Sequence, residues 1–451
     1  MQLSILHAQA HRGILIAVSI ALFLAAMDST IVAPALPTIQ VTFSNHSSWP
    51  WIMTGFLLPI AFMAPLVGSL ADIFGALTVF RVSIGIFLIA SLGASLAHTM
   101  ALLISARIIQ GVGAGGIIVL AYTLLGSLYP PEQRAKMQGL LSAVWGLAAV
   151  IGPVLGSLIL LTLGWRGIFW LNLPVGLIAL ALSHRLNLPR HVNQSKSSID
   201  GWAQSLSIIA IVSWLLSLNA PWPQHIVELN IVVVAIVSTI LVIIRIRANP
   251  SRSPIPLAIF MQPSLRCMTL LMLLSSANIY ATVTLLPSVL VHSHSMLSPG
   301  ILITVAALGW VGGAIICAKL LNTNNQLFML LSGSVGLIIG PLGIAMSLNQ
   351  GRWALPCALL ISALATGIVA ATTLVWIQNS APPSALGRWT AAVQLFRNLG
   401  SVCGISLLTG LYTHALTART CFIILALLMS MGIICTRYLF TSKRRQHESI
   451  H

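Results

Sequence analysis

Long apolar stretches dominate this sequence and limit the folds that the chain can adopt. Of its 451 residues, 57% are hydrophobic and only 6% are charged, whereas about a quarter of the residues of an ordinary soluble protein are charged. A helix that crosses the hydrocarbon core of a membrane needs about 20 apolar residues. The sequence therefore predicts an all-α integral membrane protein.

Fourteen apolar stretches are candidates for transmembrane helices, and the seventh and eighth are the shortest. They cover residues 13–36, 49–70, 80–97, 102–125, 137–160, 167–184, 202–218, 227–244, 266–290, 300–320, 327–348, 353–378, 390–413 and 421–439.

The distribution of basic residues predicts the orientation of the chain. With a cytoplasmic N-terminus, most of the 22 Lys and Arg residues lie on cytoplasmic connections and tails, as the positive-inside rule requires. An even number of spans then places both termini in the cytoplasm. Because the charge is distributed in this way, the net charge of +16 predicts contact with membrane lipids and no nucleic-acid partner. The exceptions are Arg107, Arg166, Arg352, Arg397 and Arg419.

Internal repetition predicts two related halves. The sequence Leu-Leu-Ile-Ser-Ala at 102–106 recurs at 359–363, and each copy leads to a Pro-Pro turn followed by a basic residue. We expect two six-helix bundles, 1–190 and 256–451 with its basic tail, separated by a cytoplasmic linker and two extra central helices at 191–255. Substrate sites of large secondary transporters lie between such halves. A chance repeat is the alternative.

Asp28 is the one acid, of six in the chain, that lies well inside a predicted span. It follows the start of the span by about 15 residues, or about 22 Å at 1.5 Å per residue. Arg107 lies at a comparable depth on a helix of opposite direction. Such a carboxylate can alternate between protonated and charged forms. The alternatives are an Asp28 satisfied by water or Thr30, and an Arg107 that with Gln110 anchors two helices.

Residues 141–157 combine small residues with a proline. Gly152 and Gly156 are one helical turn apart, so they form a face on which another helix can approach closely. Pro153 allows the helix to bend, and Gly146 lies earlier in the same stretch. We expect this helix to rock against a neighbour during a transport cycle.

Other chemistry has little support. The glycine-rich run 111–116 lies inside a predicted span, so we interpret it as a helix-packing face and not as a dinucleotide site. His292 and His294 lack a third ligand nearby, and the six cysteines lie in or beside apolar stretches as packing residues. We expect no metal, no cofactor and no enzymatic activity, with the proton gradient as the energy source.

Several separated segments resemble the major facilitator superfamily and, within it, the fourteen-span drug:proton antiporter family. The resemblance covers nearly the whole chain. The segments are Asp28-Ser-Thr-Ile-Val-Ala-Pro-Ala-Leu-Pro37, Gly68-Ser-Leu-Ala-Asp72-x-x-Gly75, Arg107-x-x-Gln110-Gly111, Gly146 through Gly152-Pro153-x-x-Gly156, Trp165-Arg166-x-x-Phe169-x-x-Asn172-x-Pro174-x-Gly176 and Arg397-x-x-Gly400-x-x-x-Gly404.

The resemblance implies a multidrug exporter that confers drug resistance, and we expect it to be a monomer in the bacterial cytoplasmic (inner) membrane. Small amphipathic or cationic toxic compounds would leave by alternating access in exchange for protons. The residues that it implies are Asp28, Arg107 and Gln110 for proton coupling and substrate, Gly68, Asp72, Gly75 and Arg81 for a gating loop, and Gly146, Gly152, Pro153 and Gly156 for the antiporter helix.

The gating loop departs from the family pattern. Basic residues usually flank its second glycine, but here Ile73, Ala76 and Leu77 stand around Gly75. Two alternatives follow: the contact of Asp72 is weakened, or Asp72 has a replacement partner in the next cytoplasmic loop, at Arg134 or Lys136. Two rivals stay open: a carrier of one metabolite, and a non-transporting membrane protein that kept the fold, which the departure of the loop supports.

Overall fold

The computed structural model describes residues 2–43, 50–184, 200–219, 225–249, 253, 255–292, 299–321, 325–348, 353–382, 385–413 and 416–448, and the regular elements in these ranges are helices. A single 3-10 turn, Ala33–Ala35, follows the first helix. The α-helices are α1 Gln2–Ile31, α2 Leu36–Thr42, α3 Pro50–Phe74, α4 Ala76–Ser95, α5 Met100–Leu128, α6 Pro131–His184, α7 Gly201–Asn219, α8 His225–Ala248, α9 Ala258–Met261, α10 Pro263–His292, α11 Pro299–Leu320, α12 Gln326–Ser347, α13 Ala354–Ser380, α14 Leu386–Thr413 and α15 Ala418–Glu448.

Thirteen segments of the described helices are long and apolar enough to cross a membrane. The all-helical membrane architecture predicted from the sequence is therefore confirmed, whereas the number of fourteen spans is not. The difference lies at the predicted seventh span, 202–218. It forms α7, whose described apolar part, Gly201–Trp214, is shorter than the other candidates.

Helix α6 contains two predicted spans and reverses direction at Gly164. This residue has φ +70° and ψ 179°, a conformation that is open essentially to glycine alone. The first arm, residues 131–163, ends beside α1. The second arm, residues 165–184, runs back along α4, since Arg166 bonds to the Ala97 carbonyl at one end and Ser183 lies beside Arg81 at the other.

The described helices form two halves. Helices α1 and α3–α6 pack on each other, as do α10–α15, while α7 and α8 pair together and α7 also contacts α3 and α14. Among the described residues, each half contributes six apolar segments, and the predicted division into domains stays a prediction. The predicted boundary near residue 190 lies outside the described residues.

Contacts between the halves concentrate at one end of the bundle, which we call the Asp72 end. There α3 packs on α14, and the first arm of α6 packs on α11. Glycines permit this approach, since a Cβ on Gly68 would overlap Ala391 and one on Gly139 would overlap Ala318. Asp28 lies toward the other end, where α1 finishes and α5 begins.

Candidate functional site

A buried cluster of polar residues surrounds Asp28 in the last turn of α1. Asp28, Arg107, Gln110 and Asn172 have no solvent-exposed surface. They come from α1, α5 and the second arm of α6, so the cluster lies inside the first half. We refer to these four residues together with Ser91 of α4 as the Asp28 cluster.

Both carboxylate oxygens of Asp28 accept hydrogen bonds. Its Oδ2 pairs with Nη1 of Arg107, while Oδ1 accepts from Nδ2 of Asn172 at 2.7 Å and from Nε2 of Gln110 at 3.1 Å. Arg107 Nη1 also donates to Oε1 of Gln110 at 2.8 Å. The charges of Asp28 and Arg107 therefore compensate each other in the buried interior of the bundle, where an unpaired charge is costly.

A second layer of contacts holds the cluster in place. Ser91 Oγ accepts from Gln110 at 2.8 Å and from Asn172 at 3.3 Å. Arg107 Nε donates to the carbonyl of Ile52 at 3.1 Å, and its guanidinium carbon lies 4.1 Å from the centroid of the Phe56 ring. Five helical segments thus meet at this cluster.

The sequence predicted part of this cluster. The structure brings Asp28, Arg107 and Gln110 together, whereas Thr30 bonds to the Met27 carbonyl of its own helix at 3.0 Å. Asn172 and Ser91 were not identified as partners of Asp28. The sequence did contain an indication for Asn172, because an amide inside the apolar stretch 167–184 needs a hydrogen-bond partner.

The second half has a neutral counterpart of the cluster. Asn278 lies on α10, the first long helix of that half, and donates to Ser362 Oγ at 2.7 Å and Thr366 Oγ1 at 3.3 Å. Ser362 belongs to the second copy of the repeated sequence, 359–363. Each half therefore contains a buried polar contact of this kind, but only the contact in the first half includes charged residues.

Asp72 joins the first half to the start of α14 in the second. Its Oδ1 accepts from the backbone N–H of Gly387 at 2.9 Å, and its Oδ2 accepts from the backbone N–H and the Nε of Arg388, both at 3.1 Å. A carboxylate at a helix N-terminus is also favoured by the helix dipole. The predicted partners Arg134 and Lys136 are wrong, since the ion pair that Asp72 forms is with Arg388.

The other three predicted gating residues lie in different surroundings from one another. Gly68 lies where α3 approaches Gly387 and Ala391 of α14. Gly75, with φ +88°, connects α3 to α4, and Arg81 donates to the carbonyl of Ser183 at 2.5 Å within the first half.

Arg134 forms a contact in the opposite direction. From the start of α6 its Nη1 donates to the carbonyl of Gln378 and to Oδ1 of Asn379, each at 2.8 Å, at the end of α13. Arg134 and Arg388 are the basic residues that follow the two Pro-Pro turns of the repeat. Each of them crosses to the other half, so the repeat produces a reciprocal pair of bridges at the Asp72 end.

The predicted antiporter helix is the first arm of α6, and its glycines face two different partners. A Cβ on Gly146 would overlap Val311 of α11, in the other half. Gly152 and Gly156 pack against Thr30 and Ile31 of α1, in the same half, and Pro153 lies between them. Gly139, which was not predicted, adds a second contact with α11.

Comparison with known proteins identifies the family. The family model of the Major Facilitator Superfamily matches residues 18–405. The chain is 28% identical over 396 residues to the multidrug transporter protein MdtP of Bacillus subtilis, covering 86% of this chain and 73% of that protein. It is also 28% identical over 424 residues to the efflux pump dotC of Dothistroma septosporum, covering 90% and 72%.

A solved structure shows the same fold. The human organic anion transporter MFSD10 superposes with a TM-score of 0.70 at 15% identity, over 94% of this chain and 99% of that one. At this identity the likeness concerns the fold alone. The family match along most of the sequence, together with this fold, leads to one conclusion: the chain belongs to the major facilitator superfamily of transporters.

Proposed function

We propose that this protein is a proton-coupled secondary transporter that exports small amphipathic toxic compounds by alternating access. The observation that carries the proposal is the Asp28 cluster, in which the carboxylate and its guanidinium partner are both fully buried. Ionisable groups inside a membrane are costly and are found where protons or substrates pass. Relatives described as multidrug transporters and efflux pumps support the direction of transport.

The proton would be exchanged when the cluster opens. In the observed conformation, the carboxylate of Asp28 accepts hydrogen bonds from Arg107, Gln110 and Asn172. A movement that withdraws Arg107 or Asn172 would remove these donors and leave the carboxylate of Asp28 open to proton exchange. Arg107 Nη2 and Asn172 Oδ1 have no hydrogen-bond partner among the described residues, so one donor and one acceptor remain for a transient water or proton.

Alternating access would use the bridges at the Asp72 end. Asp72 with Arg388, and Arg134 with Gln378 and Asn379, close that end in the observed conformation. With the orientation predicted from the basic residues, this is the state closed to the cytoplasm. Breaking both bridges would let the halves separate there and admit substrate.

The non-transporting rival loses its main support, because its argument was the depleted loop around Gly75. Asp72 has a basic partner on α14, so an ionic bridge is present despite the departure of the loop. A carrier of one metabolite remains the alternative within transport. We further propose a monomer in a bacterial cytoplasmic membrane that needs no cofactor besides the proton gradient.

The test uses inside-out vesicles that hold a respiration-driven pH gradient, followed with a pH-sensitive dye while a panel of charged and neutral amphipathic compounds is added. We expect substrate-dependent collapse of the gradient with the wild type and none with Asp28→Asn. The matched control is Asp200→Asn, the same change at an acid that pairs with Arg245 outside the cluster. Full activity of Asp28→Asn would remove Asp28 from the mechanism.

A further inference from the structure

A small cavity lies between the two halves, away from the Asp28 cluster. Its lining includes Tyr122, Gln138 and Ser142 from the first half and Trp310, Gln394 and Arg397 from the second. In this conformation the cavity has room for about one water molecule. A substrate would therefore enter it when the halves separate, as the transport cycle proposed above requires.

Arg397 brings a positive charge to this cavity and has neutral neighbours. The residue is only 8% exposed, and its Nη1 contacts the Tyr122 hydroxyl at 3.5 Å. Its guanidinium carbon lies 4.7 Å from the centroid of the Trp310 ring and 5.6 Å from that of Trp145. Aromatic faces stabilise a guanidinium, but they do not neutralise it.

No acid of helices α10–α14 can neutralise Arg397. The sequence has no Asp or Glu between Glu228 and Glu448, and this interval contains α10–α14. Among the described residues, the acids Asp28, Asp72 and Asp200 form ion pairs with other arginines. A buried charge without a counter-ion is destabilising, so its presence beside a cavity between the halves points to an anionic ligand.

A neighbouring cavity extends the same electrostatic pattern toward the Asp72 end. It shares Tyr122 and Gln138 with the first cavity, and its lining includes Arg134. Glu132, in the first turn of α6, is the acid close to Arg134. The described lining of both cavities contains arginine and amide groups but no carboxylate, which favours anions over cations along this route.

We propose that the cavity at Arg397 is the substrate site of this transporter and that it binds an amphipathic organic carboxylate. This inference builds on the proposed export function and specifies the charge of its substrate. The planar guanidinium can hold a carboxylate through two parallel hydrogen bonds. Trp310, Trp145 and Tyr122 offer aromatic faces for an apolar ring, and Gln138 and Gln394 offer further donors.

The cationic part of the substrate range expected from the sequence has no comparable site among the described residues. The oxygens of Asp28 already accept bonds from Arg107, Gln110 and Asn172. An ammonium group in the cavity would instead face the charge of Arg397 across a region of low dielectric constant, where repulsion is strong.

The test compares three probes that share a ring and differ in charge: 2-naphthoate, 2-naphthylmethanol and 2-naphthylmethylammonium. Binding to purified full-length protein is measured by equilibrium dialysis without a proton gradient. We expect naphthoate to bind most tightly, and Arg397→Gln to weaken its binding by about tenfold or more, as loss of a charge-assisted bond does. Binding of the neutral probe should change little.

The controls separate a binding role from a structural one. Arg245→Gln, the same change at an arginine on α8 that pairs with Asp200, should bind naphthoate as the wild type does. Arg397→Lys keeps the charge, so we expect it to fold and to bind naphthoate with intermediate affinity. It replaces Arg397→Gln in the comparison if that variant fails to fold. Tighter binding of the ammonium probe, unchanged naphthoate binding in Arg397→Gln, or no naphthoate binding by folded wild type would each overturn the proposal.

These binding results are independent of the vesicle experiment. A transporter that binds naphthoate through Arg397 but moves no protons would retain the substrate site and lose the proton coupling. Proton movement that depends on Asp28, without any preference for binding the anionic probe, would support the proton coupling and contradict the substrate site at Arg397.

Discussion

The Oδ2 atom of Asp72 accepts hydrogen bonds from both the backbone N–H and the Nε of Arg388, each at 3.1 Å. One oxygen therefore receives a helix-terminal amide and a guanidinium from the opposite half of the molecule. Arg134 makes the corresponding crossing from the first half to the second. These two bridges imply that closure of the Asp72 end depends on a few polar contacts and can be shifted by single substitutions.

We predict that Asp72→Asn opens the Asp72 end. The amide keeps one acceptor but loses the charge, at a cost of roughly 1.5–3 kcal/mol for hydrogen bonds to a charged group. Spin labels at the exposed positions Phe74 of α3 and Leu320 of α11, in a background without the native cysteines, would report the change. Pulsed electron resonance should show a larger population of long distances.

Arg388→Gln provides the comparison for that experiment. It should open the same end less than Asp72→Asn does, because Asp72 keeps the backbone N–H groups of Gly387 and Arg388. Asp200→Asn should leave the distance distribution unchanged. An Asp72→Asn distribution identical to that of the wild type would show that the charge of Asp72 is not needed to close this end.

For the Asp28 cluster, we predict that a double substitution is less harmful than either single one. Asp28→Asn leaves the buried charge of Arg107 uncompensated, and Arg107→Gln leaves the buried charge of Asp28 uncompensated. Breaking a buried ion pair in this way costs about 3–5 kcal/mol of stability. The double variant Asp28→Asn, Arg107→Gln restores electrical neutrality. Its thermal unfolding midpoint in detergent should exceed those of both single variants, while substrate-dependent proton movement stays absent.

The double variant also allows the transport test to be interpreted when a single variant is unstable. If Asp28→Asn fails to fold, the double variant supplies a neutral cluster in a folded protein. Equal midpoints for all three variants would show that the uncompensated charge is not what destabilises the single variants. Proton movement by the double variant would show that coupling does not need Asp28.

Local sequence features predicted the spans and the depth of Asp28, but they did not predict the rotation of each helix about its own axis. Most spans here are apolar around their whole circumference, so no stripe of hydrophobic residues shows which side meets a neighbour. Depth along an axis follows from counting residues, and it was enough to associate Asp28 with Arg107. The rotation that brings Asn172 and Ser91 to the same carboxylate depends on packing of the complete bundle.

Contacts between the halves were the least predictable part. Arg388 is 316 residues from Asp72 in the sequence, and the nearer Arg134 looked like the replacement partner. The internal repeat contained a usable signal, since basic residues follow both Pro-Pro turns. Applying the repeat to the bridges as well as to the spans would have paired each of these arginines with the opposite half.

We predict that Gly156→Ala destabilises the first half. The added Cβ would overlap the backbone carbonyl of Ile31, which cannot move without shifting α1, and overpacking of this kind costs about 1–3 kcal/mol. Gly85→Ala is the matched control, because a Cβ there meets no atom within 4 Å. The midpoint of thermal unfolding should fall for Gly156→Ala and stay level or rise for Gly85→Ala. A fall in both would indicate that helix packing at Gly156 is not the cause.

Gly146 tests the contact between the halves, and here we predict that a second substitution restores function. Gly146→Ala places a Cβ against the side chain of Val311 on α11, so the first arm of α6 can no longer approach α11 and substrate-dependent proton movement should slow. Val311→Ala removes the atoms that clash, and the double variant should recover much of the wild-type rate. No such partner exists for Gly156→Ala, whose obstacle is backbone. Recovery confined to the Gly146 pair would assign the two parts of this helix different roles, one in movement between the halves and one in the packing of the first half.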